Sequence, residues 1–228
     1  MRVTILYDNG LADARLTPGW GFSCLIELAG RCLLFDTGGD GTILLRNMDI
    51  LAIPPSDIGT VVLSHAHMDH VGGLGSFLRR NCEVTVYLPR SVPGGLKWEV
   101  QSSGAAVVEI HRAEELLPGV FTTGEMGDVP EQGLIVGTPS GSVVVTGCAH
   151  PGIIPVVEAA QRVIRGGTSL VVGGFHFPRP EAATRLKEMG VEKVAPCHCT
   201  GEEARRAFRL AYGAGYIEVG TGTRIEIE

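Results

Sequence analysis

The chain has 228 residues, of which 44% are hydrophobic and 19% charged, and its formal net charge at pH 7 is −6. This composition supports one large domain or two small ones with a substantial core, and it excludes a largely disordered chain. A negative net charge argues against a nucleic-acid surface, which requires a basic stripe. No apolar run approaches the ~20 residues that cross a bilayer. We therefore expect no nucleic-acid partner and no membrane association.

The first residues and the cysteines bear on the cellular compartment. Met1 leads directly into a strand-like run, without the cleavage pattern of a secretory signal peptide. Six cysteines in a chain of this length do not predict a small disulfide framework, and reduced thiols are typical of the cytosol. We therefore expect a cytoplasmic protein.

Hydrophobic periodicity and turn residues predict the elements of the first half of the chain. The predicted strands cover residues 2–8, 22–28, 32–35, 61–63, 84–88, 107–110 and 120–123. The predicted helices cover residues 42–49 and 74–80. Residues 89–104 are rich in Pro, Gly and Ser, and we expect a loop there.

In the second half, a predicted hairpin of residues 133–137 and 142–146 is followed by an alternation of helices and strands. The predicted helices cover residues 154–165, 181–189 and 202–212, and the predicted strands cover residues 169–172, 193–195, 216–219 and 223–227. Strands that need helices on both sides indicate an α/β architecture of two sheets packed face to face with outer helices. No linker interrupts the pattern, so we expect a single domain over residues 1–228.

One short stretch carries most of the chemistry, and it reads Leu63-Ser64-His65-Ala66-His67-Met68-Asp69-His70. Side chains two apart on an extended backbone point the same way, which groups His65 with His67. Asp69 and His70 follow the strand end, where the chain can turn back on the same point. Imidazole and carboxylate are the usual ligands of zinc, iron and manganese. The stretch therefore predicts a metal site, and the alternative is a polar loop that happens to be rich in histidine.

Other polar residues also follow predicted strands. They are Asp36, His150, His176 and His198, and each stands at or just past a strand end. In α/β folds, sites gather at strand ends because the loops converge there while the sheet stays rigid. His111 is the one histidine outside this pattern, and we expect it at the surface.

Four segments, in this order, resemble the motifs of the metallo-β-lactamase superfamily: Phe35-Asp36-Thr37-Gly38, the stretch 65–70, Thr146-Gly147-Cys148-Ala149-His150 and Pro196-Cys197-His198. The resemblance implies an αββα four-layer sandwich with metals at one edge. Within the superfamily, residues 63–74, 147–153 and 173–176 look like the branch of dihydropterin-ribofuranosylaminobenzene phosphate synthases. Many proteins of that branch are known only as metal-dependent hydrolases.

The resemblance also implies a ligand set. His65, His67 and His150 would hold a first metal, and Asp69, His70 and His198 would hold a second. The expected cofactors are one or two divalent ions, zinc first, with manganese or iron as alternatives. Asp36 would not touch metal and would accept an N–H from a ligand histidine, which fixes the tautomer of that histidine. Its alternative role is an ordinary carboxylate in a turn.

The chain departs from the family at the fourth motif, where the superfamily usually supplies a bridging aspartate. The corresponding strand ends in residues 172–176, Val-Gly-Gly-Phe-His, without an acidic residue. His176 is therefore open to four interpretations: a metal ligand, a proton donor, a donor to a substrate phosphate, or a hydrogen-bonded core histidine.

The cysteines and glycines beside these histidines have structural interpretations too. Cys197 and Cys199 are interpreted as small buried side chains rather than ligands, and so is Cys148. If the strand continued through His198, its alternation would place both flanking cysteines on the opposite face. The backbone N–H groups before the helix near Ile153, including that of Gly152, form a candidate anion site or an ordinary glycine turn.

These observations favour a metal-dependent hydrolase that acts on a small phosphorylated, ester or lactone substrate through metal-activated water. Asp69 would orient the water or move its proton, and His176 would stabilise developing charge. The alternatives are a pterin or phosphoribosyl synthase with the same centre, and a non-catalytic metal or ligand sensor. The expected partner is a small molecule, and a homo-oligomer is compatible with the sequence.

Overall fold

The structure is a computed structural model and describes residues 1–228. Contacts divide the chain into two compact units. Unit 1 consists of residues 1–111 and 220–227, and unit 2 consists of residues 112–219 and residue 228. Each unit contains one mixed β-sheet with helices, which confirms the predicted α/β class.

Unit 1 contains a seven-stranded sheet. Its strands, in spatial order, are β13 (Arg224–Glu226), β1 (Arg2–Tyr7), β2 (Ser23–Leu28), β3 (Arg31–Phe35), β4 (Ile58–Val62), β5 (Thr85–Pro89) and β6 (Ala106–Ile110). The pairs from β13 to β3 are antiparallel, and the pairs from β3 to β6 are parallel. The helices are α1 (Gly41–Ile50), α2 (Met68–Val71), α3 (Leu74–Leu78) and α4 (Gly94–Ser103).

The prediction of a loop over residues 89–104 is wrong, because α4 occupies most of that range. The glycines at the start of this helix are typical of loops, so composition alone does not predict a helix there. Tertiary packing stabilises the helix despite this composition, since Val100 is completely buried in the hydrophobic core of unit 1. Gly104 ends the helix with a φ of +94°, a conformation that glycine adopts without steric cost.

Unit 2 contains a six-stranded sheet. Its strands, in spatial order, are β12 (Val191–Cys197), β11 (Thr168–Gly174), β10 (Gly141–Thr146), β9 (Leu134–Thr138), β8 (Val120–Gly124) and β7 (Arg112–Leu117). Strands β10, β11 and β12 are parallel, and the remaining pairs are antiparallel. The helices are α5 (Ile153–Val163), α6 (Glu181–Glu188) and α7 (Glu202–Tyr212).

Two strands of unit 2 differ from the prediction. Sequence periodicity does not detect β7, because this edge strand is mostly charged and exposed. The predicted strand over residues 216–219 is wrong, since only an isolated bridge joins Tyr216 to Val194 there. A tight turn over Gly213–Gly215 directs the chain to that single bridge, after which the pairing stops.

The core of unit 2 fixes the carboxyl ends of its parallel strands. Phe175, directly after β11, is buried and packs edge-to-face on Phe208 of α7, with ring centroids 5.3 Å apart. Buried aliphatic residues of α5 complete the same cluster. The loops that follow β10, β11 and β12 therefore start from a rigid edge. None of the helices in the structure has the length and apolar character needed to cross a bilayer.

Candidate metal centre

The histidine stretch of unit 1 brings its imidazoles together. The ring centroid of His65 lies 4.6 Å from that of His67 and 4.2 Å from that of His70. His65 and His70 are completely buried, whereas His67 is exposed. The carboxylate Oδ2 of Asp69 lies 3.8 Å from Nε2 of His70. The tight turn into α2 thus gathers three imidazoles and one carboxylate from six residues.

Asp36 governs the orientation of two of these rings. Its buried carboxylate accepts hydrogen bonds from the backbone N–H of Ser64 at 2.7 Å and from the Ser64 hydroxyl at 2.6 Å. The same carboxylate lies 2.7 Å from Nδ1 of His70. This contact assigns the proton of His70 to Nδ1 and leaves the lone pair of Nε2 for a metal.

The Ser64 hydroxyl extends this control to His65. Its oxygen lies 2.8 Å from Nδ1 of His65. A hydroxyl has one proton, and here it goes to Asp36, so the oxygen accepts from Nδ1–H of His65. His65 therefore also presents the lone pair of its Nε2.

In unit 2, Glu131 holds the loop that carries His150. Its buried carboxylate accepts the backbone N–H groups of Cys148, Ala149 and His150, at 2.8, 2.7 and 2.8 Å. It also lies 2.7 Å from Nδ1 of His150. Three successive N–H groups around one oxygen pair form an anion-binding nest, and Ala149 adopts a φ of +59° to complete it. Sequence reasoning missed Glu131, because nothing in its loop sequence distinguishes it from a surface carboxylate.

His176 and His198 stand at the ends of β11 and β12. The ring centroid of His176 lies 4.3 Å from that of His150, and His176 is exposed. His198 is buried and begins a short 3-10 turn immediately after β12. His111, by contrast, is exposed at the surface, which confirms the prediction for it.

The predicted burial of Cys148, Cys197 and Cys199 is confirmed. The strand does not continue through His198, which is the condition for the predicted alternation of Cys197 and Cys199: the backbone leaves the extended conformation at His198, where φ is +48°. The structure instead brings Cys199 close to Cys148, with its Sγ 3.7 Å from the Cys148 carbonyl oxygen.

Left-handed backbone is concentrated after the strands that carry the site. Asp36, Ala149, His176 and His198 have φ values of +55°, +59°, +48° and +48°. Such a conformation costs a residue with a side chain about 1–3 kcal/mol, and it persists where the surrounding structure enforces it. Gly152 has a φ of +95° and lies immediately before α5, where glycine adopts the turn without that cost.

The donor groups fit a divalent transition metal. Unit 1 offers three imidazoles and a carboxylate, and unit 2 offers the imidazoles of His150, His176 and His198. Nitrogen and oxygen donors of this kind suit zinc, iron and manganese. The carboxylates of Asp36 and Glu131 provide the outer hydrogen bonds by which metal-binding histidines are oriented.

The αβ architecture and this arrangement of histidines define a class of protein. Residues 16–198 match the family model of the metallo-beta-lactamase superfamily, and the chain therefore belongs to that superfamily. Membership implies that the chain binds divalent metal.

The chain is also similar to individual proteins of known structure or curated sequence. The chain is 29% identical to 7,8-dihydropterin-6-methyl-4-(beta-D-ribofuranosyl)-aminobenzene-5'-phosphate synthase of Methanocaldococcus jannaschii, over 92% of each chain. Tm1679, described as a metal-dependent hydrolase of the beta-lactamase superfamily, has a crystal structure with a TM-score of 0.85 and 28% identity. That match covers 100% of this chain and 99% of Tm1679. The short form of human tRNase Z, at 13% identity and a TM-score of 0.68 over all of both chains, shares the fold alone.

Proposed function

We propose that this protein is a metal-dependent hydrolase whose substrate is a small phosphorylated, ester or lactone compound. The observation that carries the proposal is a pair of carboxylate–imidazole contacts. Asp36 lies 2.7 Å from Nδ1 of His70, and Glu131 lies 2.7 Å from Nδ1 of His150. Each contact places the ring proton on Nδ1, so the Nε2 lone pair of that histidine is available to a metal.

The resemblance to the superfamily motifs supplies the proposed ligands. They are His65, His67 and His150 for one ion, and Asp69, His70 and His198 for the other. When bound, divalent metal supplies Lewis-acid polarisation of the substrate and a water nucleophile at neutral pH. Zinc is the first candidate, with manganese and iron as alternatives.

The remaining steps belong to side chains of the protein. Asp69 has a side chain 23% exposed and adjacent to His70 Nε2, so it can accept a proton from the attacking water. His176 is exposed beside the His150 ring, and its N–H can donate to the oxygen on which charge develops. The N–H of Gly152 donates to the carbonyl of Ala149 at 2.8 Å, so the predicted contact of this N–H with a substrate anion is not part of the proposal.

The test combines metal analysis of the purified full chain with a panel of phosphoesters and lactones. We expect bound zinc, manganese or iron, turnover of at least one substrate class, loss of activity on chelation and recovery on metal addition. The variant His67→Ala should lose metal and activity, whereas His111→Ala, at another exposed position, should retain both. Undiminished activity in metal-free protein would refute the proposal.

A synthase is the second candidate, supported by the name of the Methanocaldococcus jannaschii relative, which matches over 92% of each chain. The same centre would activate a phosphoribosyl or pterin substrate for bond formation. A parallel assay therefore offers a dihydropterin with an aminobenzoate riboside phosphate. Product in this assay and none from the ester panel would replace the hydrolase proposal with the synthase. Metal and tight ligand binding without turnover in either assay would indicate a sensor.

A further inference from the structure

Strand β11 ends in two glycines at the place where the superfamily usually carries its bridging aspartate. A side chain at Gly173 would collide with the carbonyl oxygen of Thr146. A Cβ atom at Gly174 would lie 2.8 Å from Sγ of Cys199 and 3.3 Å from Cα of Cys148. The carbonyl oxygens of Thr146 and Gly147 lie nearest to these two positions, so the backbone and the Cys199 sulfur together fill the space that a carboxylate would need.

The two cysteines form a close group with His176. One ligand atom from each of Cys148, His176 and Cys199 lies within 4.8 Å of the other two. The three donors come from the ends of three adjacent parallel strands, β10, β11 and β12. Cys148 and Cys199 are buried, whereas His176 is exposed.

Backbone hydrogen bonds fix the three turns that carry these donors. The N–H of Gly174 donates to the carbonyl of Gly147 at 3.1 Å, which joins the β10 and β11 ends. The N–H of Phe177 donates to the carbonyl of Cys199 at 3.0 Å, which joins the β11 and β12 ends. Glu131 accepts the N–H of Cys148 at 2.8 Å. The donor geometry is therefore held by the fold before any ligand arrives.

We propose that Cys148, His176 and Cys199 form a thiolate–imidazole site for one transition-metal ion, at the strand ends where the superfamily usually carries its bridging carboxylate. Two thiolates and one imidazole form a ligand set that zinc uses with its fourth position open. Sulfur donors favour zinc over manganese, so we expect this site to select zinc. Binding releases the thiol protons to solvent.

The role of this site in catalysis rests on the proposed function. All three of its ligands lie in unit 2. His176 is its one exposed member, so it is the ligand that a substrate could reach.

Cobalt(II) loading of the full chain tests the site, because sulfur ligands give Co²⁺ a near-ultraviolet charge-transfer band that nitrogen and oxygen ligands do not. We expect this band in the wild type, a reduced band in Cys148→Ser and in Cys199→Ser, and its loss in the double variant. The control Cys24→Ser changes an equally buried cysteine of unit 1 and should keep the full band.

X-ray absorption of the zinc-loaded wild type gives a second measurement that needs no variant. It should show sulfur scatterers at about 2.3 Å, the usual zinc–sulfur distance. Bound cobalt or zinc with only nitrogen and oxygen ligands would overturn the thiolate site and leave the histidine centre intact. A sulfur band that persists in the double variant would also overturn it, and a chain that binds no metal would overturn both proposals.

Discussion

Removal of the Glu131 carboxylate should loosen the loop that carries His150. In the wild type, this carboxylate accepts three backbone N–H groups and faces the ring nitrogen of His150, all within 2.8 Å. Glu131→Ala leaves those three N–H groups without their acceptor in a buried place. The left-handed backbone of Ala149 also loses the contact that enforces it.

The expected loss of stability follows from the number of hydrogen bonds that the substitution removes. Each buried N–H left without an acceptor costs about 1–3 kcal/mol, and water that enters the vacated volume recovers part of that sum. We therefore expect Glu131→Ala to lower the free energy of unfolding by about 3–5 kcal/mol. Glu131→Gln keeps the volume and one acceptor oxygen, but its NH₂ group opposes a backbone N–H. We expect it to lose roughly 2 kcal/mol.

Urea denaturation, monitored by near- and far-ultraviolet circular dichroism, measures this loss of stability. Coincident curves from the two wavelength ranges establish two-state behaviour. Hydrogen exchange should accelerate at the amides of Cys148, Ala149 and His150 in both variants. Metal affinity should fall about 10–100-fold, because His150 loses the partner that orients it. Glu114→Ala, at an exposed position of β7, should change stability by no more than about 0.5 kcal/mol. A loss below about 1 kcal/mol for Glu131→Ala, with unchanged exchange, would refute the anchoring role.

Three further substitutions test other parts of the structure. Asp36→Asn removes the acceptor facing His70, and metal affinity measured against a competing chelator should fall about 10–100-fold; an unchanged affinity contradicts this role. Asp40 accepts the N–H groups at the start of α1, which lowers the pKa of its carboxyl below the usual value. Because the folded pKa is depressed, its stabilisation is present at neutral pH and is lost as the pH falls through that pKa. Asp40→Ala should therefore cost about 1 kcal/mol at pH 7 in urea titrations, and the difference should vanish in acid. Ala52 is exposed with a φ of +56°, so Ala52→Gly should raise the melting temperature by the equivalent of about 1 kcal/mol. Ala12→Gly, exposed without a positive φ, should lower the melting temperature; a rise in this control contradicts the explanation.

The sequence predicts the elements whose apolar pattern is strong and the site residues whose chemistry is unusual. The α7 helix begins and ends at the predicted residues, because its apolar positions recur at helical spacing over three turns. The histidine stretch is recognisable because few structural roles need so many imidazoles in so few residues.

The remaining features depend on contacts that no local pattern records. Helix α4 forms because Val100 reaches the core, although its first residues are glycines. Strand β7 pairs at a sheet edge with a charged sequence. Glu131 becomes an anchor only because the loop after β10 presents three N–H groups to it. In each case the partner lies at least several residues away, so propensity and spacing do not identify it.

The Ser64 hydroxyl couples two rings to one charge. Its single proton points at Asp36, and for that reason its oxygen can only accept from His65. The tautomers of both imidazoles therefore depend on one carboxylate, directly for His70 and through the Ser64 hydroxyl for His65. Ser64→Ala would divide this arrangement, because His65 would lose the acceptor of its Nδ1–H whereas His70 would keep the Asp36 carboxylate.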